Sequence, residues 1–173
     1  MTVVPTKPDA EANATLVVTM SSFPGRNMVT AVSTLVSEFC RTLVSDKDIA
    51  DRFHMAAQEL AENLIKYSSG PEVSLKAELI ASEGNAILQL MAKNHSTEAQ
   101  LAAVEERLRE LTAADDPVEL YDRLIRETAQ LEEGSGLGLA RIRAEGELDV
   151  DYAIVGTELT ISVRASVHPP RNN

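Results

Sequence analysis

A helical segment in the first half of the chain reads Phe53-His-Met-Ala-Ala-Gln-Glu-Leu-Ala-Glu-Asn-Leu-Ile-Lys-Tyr-Ser68. Apolar side chains recur in it every three or four residues, which predicts a helix over 48–67 with one buried face. These residues are Phe53, Ala57, Leu60 and Leu64. Glu59, Asn63 and Lys66 are spaced four and three apart and share another side of the helix. That polar stripe lies about 100° from the apolar one, so we expect it at the edge of the core.

The polar stripe allows two interpretations. A Glu/Lys pair on a solvated helix flank is the ordinary one, because such pairs support exposed helices. In the functional one, Asn63 offers a neutral oxygen to a hydrated cation. Glu59 then accepts a proton from a hydroxyl that attacks a terminal phosphate, and Lys66 neutralises phosphate charge. The stripe by itself leaves both interpretations open.

Five strands are predicted around this helix from β-branched runs and from apolar residues that alternate with polar ones. They cover residues 15–20, 73–79, 86–92, 150–155 and 159–163. Tight turns join the second strand to the third and the fourth to the fifth, so these pairs are expected to be antiparallel. With a further helix over 28–43, the pattern predicts an α+β fold. It is a two-layer sandwich with helices on one face of a mostly antiparallel sheet.

Residues 98–133 form an acidic stretch without glycine, with eleven acidic and four basic residues. Leucine spacing predicts two helices separated near Asp115-Asp-Pro117, the second extending towards Leu131. They are either solvated helices that flank the core, or a lid or partner-docking segment beside a ligand site. In the second interpretation the lid spans 95–133.

A glycine cluster, Gly134-Ser-Gly-Leu-Gly-Leu139, follows this stretch and precedes an apolar helix over 137–144. It lacks the last glycine of a dinucleotide fingerprint and the preceding strand that this motif requires. The chain also contains no Gly-Lys-Ser/Thr triplet of a P-loop. Backbone N–H groups at a helix N-terminus favour phosphate, but clustered glycines are also common in turns and at close packing contacts.

Length and charge restrict the function further. The 173 residues suit one domain over 15–167, between tails at 1–14 and 168–173 that are predicted to be flexible. A net charge of -11 disfavours nucleic acid and anionic membranes as partners. The single cysteine and three histidines argue against an internal disulfide and a zinc site. No leader or spanning segment is recognised, so a cytoplasmic protein is expected.

Taken together, the two motifs resemble those of the GHKL ATPase superfamily, which includes sensor histidine kinases, gyrase and the Hsp90 chaperones. Glu59-x-x-x-Asn63-x-x-Lys66-Tyr67 is similar to the N-box, and Gly134–Leu139 is similar to the second glycine box. The order of elements over 15–166 also resembles the Bergerat fold of this superfamily. The small size and acidic lid are most similar to the anti-sigma-factor serine kinases of bacterial partner-switching modules, in particular the SiaB-type branch.

This resemblance implies a Mg-ATP-dependent serine/threonine protein kinase. It implies that Asn63 binds Mg²⁺, that Glu59 is the general base towards a partner serine, and that Lys66 contacts phosphate beside Tyr67 near the nucleotide. The phosphates would be wrapped by the backbone of Gly134, Ser135, Gly136, Leu137, Gly138 and Leu139. The implied substrate is a small STAS-like antagonist protein. A sigma factor or a cyclase-type output protein would be a further partner, and a homodimer is left open.

One element of the family pattern is missing. The Asp-x-Gly-x-Gly box expected after the central strand is replaced by Met91-Ala-Lys-Asn-His-Ser-Thr97. Asn94 is the candidate to replace the aspartate that reads the adenine amino group. The loss also permits a pseudokinase or adaptor with lost or altered nucleotide binding that regulates by protein binding alone. A histidine phosphotransfer domain is disfavoured, because neither His54 nor His95 lies in a four-helix-bundle pattern.

Overall fold

The computed structural model describes residues 14–20, 26–70, 72–82, 85–128 and 137–168. Over these residues the chain forms five strands and five helices. The strands are β1 (Ala14–Met20), β2 (Val73–Ser82), β3 (Asn85–His95), β4 (Asp149–Val155) and β5 (Glu158–Val167). The helices are α1 (Arg26–Leu43), α2 (Lys47–Tyr67), α3 (Glu98–Ala113), α4 (Pro117–Thr128) and α5 (Leu137–Ala144).

The strands form one sheet in the order β1-β2-β3-β5-β4, with every neighbouring pair antiparallel. The register places apolar residues opposite one another: Leu79 faces Leu88, and Val163 lies between Leu90 and Val150. Because side chains alternate along a strand, this register buries one face of the sheet and leaves the other partly or fully exposed. The buried face shares one apolar core with the helices. The predicted α+β sandwich is thus confirmed.

Helix α2 is the most buried helix of the fold. Seven of its side chains are buried, including Phe53 and Leu60 at 0% exposure. Asp46 is its N-cap and accepts hydrogen bonds from the backbone N–H groups of Asp48 and Ile49 at 2.9 and 3.4 Å. This core position of α2 fixes where its polar flank lies. Helix α1 packs along α2 and buries Cys40, which raises the pKa of that thiol to about 12.

The acidic stretch forms the two predicted helices, α3 and α4. Thr97 and Gln100 make a capping box at the start of α3, and Asp116 accepts from the first N–H groups of α4 at 2.9 and 3.0 Å. The expected extension of the second helix to Leu131 lies outside the described residues, as do most of the two predicted tails. No helix in the described part of the chain is both long and apolar enough to cross a membrane.

Replacing the N-cap of α2 tests this account of the central helix. Asp46→Ala should lower the free energy of unfolding by about 1 kcal/mol, because two backbone donors lose their acceptor. Asp46→Asn, which keeps an oxygen acceptor, should cost much less. Urea denaturation of both variants measures the difference, and equal losses would contradict the assigned cap.

Candidate functional site

A cavity of about 350 Å³ lies between α2, strands β3 and β5 of the sheet, and the α3–α4 pair. Its walls are mainly apolar, with Leu60 from α2, Ile161 from β5 and Leu108 from α3 among them. A few polar side chains also reach it, notably Asn63 and Asn94. The volume and this mixture of apolar walls and few polar groups are typical of small-molecule sites, which span about 300–1,000 Å³.

The residues of the polar stripe on α2 are placed differently around this cavity. Asn63 and Tyr67 line it. Glu59, one helical turn before Asn63, is not among the lining residues and has a side chain only 18% exposed. Lys66 is exposed, and its Nζ lies 5.4 Å from the centroid of the Tyr67 ring. Of the stripe, Asn63 therefore lines the cavity together with its helix neighbour Tyr67, whereas Glu59 is a half-buried carboxylate and Lys66 a surface cation, both outside the cavity lining.

The carboxylate of Glu59 packs directly on the backbone of Gly138. A Cβ at Gly138 would collide with Oε2 of Glu59 and would stand 3.1 Å from its Cδ. The absence of a side chain at Gly138 thus allows α5 to approach the polar flank of α2. Leu139 is buried and lines the cavity, and Leu137 is half-buried. Gly134, Ser135 and Gly136, for which phosphate contacts are predicted, lie outside the described residues.

Glu59 is also ion-paired. Nη1 of Arg141 donates to Oε1 of Glu59 at 3.2 Å, and Nε of Arg141 donates to Glu145 at 2.7 Å. Burial raises the pKa of Glu59, while the hydrogen bond from Arg141 opposes this rise. The net shift is upward. A carboxylate whose pKa moves upward is a stronger proton acceptor, provided that it is ionised at the working pH.

Asn94 lies buried at the end of β3 with its amide orientation fixed by Ser96. The Ser96 hydroxyl donates to the carbonyl oxygen of Tyr67 at 2.8 Å. A carbonyl oxygen can only accept, so this bond uses the one hydroxyl hydrogen of Ser96. Towards Asn94, the Ser96 hydroxyl oxygen can therefore only accept a hydrogen bond. The amide nitrogen of Asn94 therefore points at Ser96, at 2.8 Å. Its carbonyl oxygen is left on the other side of the amide, available to a ligand donor.

The structure also locates the residues relevant to metal binding, namely Asn63, His54 and His95. Within the described ranges there is no group of three or more His, Cys, Asp or Glu residues that could hold a metal ion. Among the described residues, a cation at this site would meet the amide oxygen of Asn63 but no such cluster. His54 pairs with the carbonyl oxygen of Ser33 at 3.1 Å, and His95 pairs with the Thr157 hydroxyl at 3.1 Å.

Sequence reasoning missed two residues that shape this site, Ser96 and Arg141. Ser96 directly precedes the Thr97 N-cap, so its sequence signal is that of an ordinary helix start. Arg141 forms an i,i+4 pair with Glu145, a pattern typical of any exposed helix. Neither local pattern indicates the partner from a distant part of the chain.

Comparison with known proteins yields a structural match. No protein-family model and no curated protein matches the sequence. Among solved structures, the chain is similar to a chain in the crystal structure of the SiaB-SiaC complex from Pseudomonas aeruginosa. The TM-score is 0.57 and the sequence identity 13%, over 88% of this chain and 89% of the other. The two chains therefore share a fold.

The Ser96 network predicts a specific loss of stability. Ser96→Ala should lower the free energy of unfolding by about 1–2 kcal/mol, because the Tyr67 carbonyl keeps only a 3.4 Å bond from Asn94. Ser69→Ala is the matched control, since its exposed hydroxyl donates to the His95 carbonyl at 3.3 Å. That loss should stay below about 0.5 kcal/mol. Similar urea midpoints for the two variants would contradict the assigned network.

Proposed function

We propose that this chain is a SiaB-type signalling regulator of the GHKL superfamily. It binds Mg-ATP and phosphorylates a serine or threonine of a small STAS-like antagonist protein. The shared fold with a chain of the SiaB-SiaC complex supports this proposal. The observation that carries it is the packing of Glu59 on Gly138 beside a ligand-sized cavity. Residues from both family-like motifs thus meet at one place.

The cavity suits the base of a nucleotide. Its apolar walls can cover the faces of a planar ring, and Asn94 supplies a fixed hydrogen-bond acceptor. An acceptor there matches the exocyclic amine of adenine. The corresponding atom of guanine is itself an acceptor and would be left unpaired, which is costly in a buried site. The expected base preference is therefore adenine over guanine.

The phosphates would lie towards the α2–α5 contact. Asn63 would offer its amide oxygen to Mg²⁺, which needs few protein ligands because it keeps waters and phosphate oxygens. Lys66 and the backbone of residues 134–139 would contact phosphate. When bound, Mg-ATP supplies the transferable phosphoryl group together with a cation that neutralises its charge. Glu59 would accept the proton of the attacking hydroxyl of the partner.

The proposed partner is a small STAS-like antagonist whose serine or threonine reaches the mouth of the site. A sigma factor or a cyclase-type protein would act as the output of the same cytoplasmic module. A homodimer of this chain is also compatible with the proposal. The net charge of -11 disfavours nucleic acid as an alternative partner, because phosphate backbones are repelled by a field of that sign.

A second candidate function is a pseudokinase or adaptor that binds its partner without phosphate transfer. One observation favours it: the Asn94 amide is engaged with Ser96 and lies within 3.4 Å of two backbone carbonyls, those of Tyr67 and His95. In that case, the network would only brace the end of β3. Nucleotide binding separates the two functions.

Calorimetry with nucleotides tests the site. Mg-ATP should bind to the wild-type chain more tightly than Mg-GTP, because Asn94 presents an acceptor to the base. Asn63→Ala should weaken Mg-ATP binding and remove most of its dependence on Mg²⁺. Gln58→Ala, an exposed position on the same helix, should bind like the wild type. No heat at high protein and nucleotide concentrations would favour the adaptor.

Phosphate transfer tests the role of Glu59. With a small STAS-like protein as the phosphate acceptor, Glu59→Gln should reduce transfer from radiolabelled ATP by about 10²-fold or more, as expected for loss of a general base. Asp51→Asn, which changes an exposed carboxylate on α2 that pairs with Arg41, is the matched control and should retain full transfer. Binding of the partner without any transfer by the wild type would contradict the kinase proposal.

A further inference from the structure

Arg141 makes a bridge between the candidate base and its own helix. Its guanidinium donates to Glu59 on α2 through Nη1 and to Glu145, directly after α5, through Nε, at 3.2 and 2.7 Å. Arg141 and Glu145 are four residues apart, so they are neighbours along one turn. This local ion pair orients the guanidinium towards Glu59. Arg141 is thus a cation presented by α5 to a carboxylate on another element.

The two oxygens of Glu59 have different surroundings. Oε1 accepts the hydrogen bond from Arg141, whereas Oε2 lies against the backbone of Gly138. The carboxylate is therefore held between a cation and a glycine, both on α5. A side chain fixed from two directions keeps one rotamer, which a general base requires to meet its proton donor repeatedly in the same geometry.

We propose that Arg141 is the positioning residue of Glu59, which keeps this carboxylate ionised and fixed against Gly138. This inference deepens the proposed function and rests on it for its catalytic consequence. The pairing itself stands on the geometry and can be measured without any phosphate transfer. Arg141 would not contact the reacting hydroxyl; it would act through the carboxylate that does.

The electrostatics of the cluster agree with this role. Burial raises the pKa of Glu59, and the neighbouring carboxylates of Glu62 on α2 and of Glu145, directly after α5, raise it further. Arg141 opposes all three effects. Tyr121 on α4 also lies near this cluster. The pKa of Tyr121 is raised by burial and by the negative charges of Glu145 and Glu59. Without Arg141, Glu59 would be a half-buried carboxylate among negative charges and would protonate more readily.

The Arg141–Glu59 ion pair should contribute little to the stability of the fold. Isolated exposed ion pairs contribute little to stability, and Arg141 is about half exposed at 45%. Glu59, in contrast, is only 18% exposed, so its charge is screened less by water. The main effect of the bridge should thus appear in the ionisation of Glu59 rather than in the stability of the chain.

Carboxyl NMR titration of the full chain, labelled with ¹³C at glutamate, tests the proposal. Arg141→Ala should raise the pKa of Glu59 by about one unit or more, because an opposite charge next to it is removed. Arg141→Lys, which keeps the charge, should restore part of the wild-type value. Arg109→Ala removes a comparable i,i+4 pair with Glu105 on α3 and should leave Glu59 unchanged.

The pH profile of phosphate transfer supplies the second readout. In Arg141→Ala, the acidic limb should move to higher pH by the amount that NMR measures for Glu59. An unchanged Glu59 titration would overturn the pairing. A shifted titration with an unmoved acidic limb would overturn the positioning role. If Arg141→Ala shifts the Glu59 titration but the wild-type chain transfers no phosphate, the ion pair is supported and the proposed function is overturned.

Discussion

The contact between Glu59 and Gly138 is the constraint on which the arrangement of the site depends. It joins the polar flank of α2 to the first turn of α5, although the two segments are far apart along the chain. The apolar flank of α2 is anchored in the core through Phe53 and Leu60, so the polar flank cannot move independently. A side chain at residue 138 would displace the carboxylate, and the cation of Arg141 would lose its partner.

Helices α3 and α4 form one wall of the cavity beside the Glu59–Gly138 contact. Leu108 and Leu111 are buried and also line the cavity, so the same side chains stabilise the fold and shape the ligand space. Arg143 in the last turn of α5 donates to the backbone carbonyls of Leu111 and Ala114, which joins the end of α3 to the end of α5. In the described part of this stretch most acidic side chains are exposed, although Glu110 lines the cavity. The cavity is also lined by Leu108, Leu111, Leu120 and Leu124. The two helices thus flank the core and line the cavity, and their role as a lid stays a prediction.

Periodicity predicted most of the fold because each element has a local signal. The alternation in β2 and the three-and-four spacing in α2 report directly which faces are buried, and Asp46 marks a helix start. The site was only partly predictable. Asn63 was identified from the polar stripe of α2 and Asn94 by resemblance, whereas the roles of Ser96 and Arg141 arise from contacts across the fold. Glu59 and Arg141 are both ordinary helix-surface residues until the packing of α2 against α5 brings them together.

The proposed function requires that a nucleotide binds in the cavity between α2, the sheet and the α3–α4 pair. Backbone NMR of the labelled chain during a titration with Mg-ATP measures this binding residue by residue. We expect large shift changes at Asn63, Asn94 and Leu108, which line the cavity, and small ones at Leu35 on the exposed side of α1. Unchanged signals at the three cavity residues at millimolar nucleotide, or changes confined to other surfaces, would contradict it.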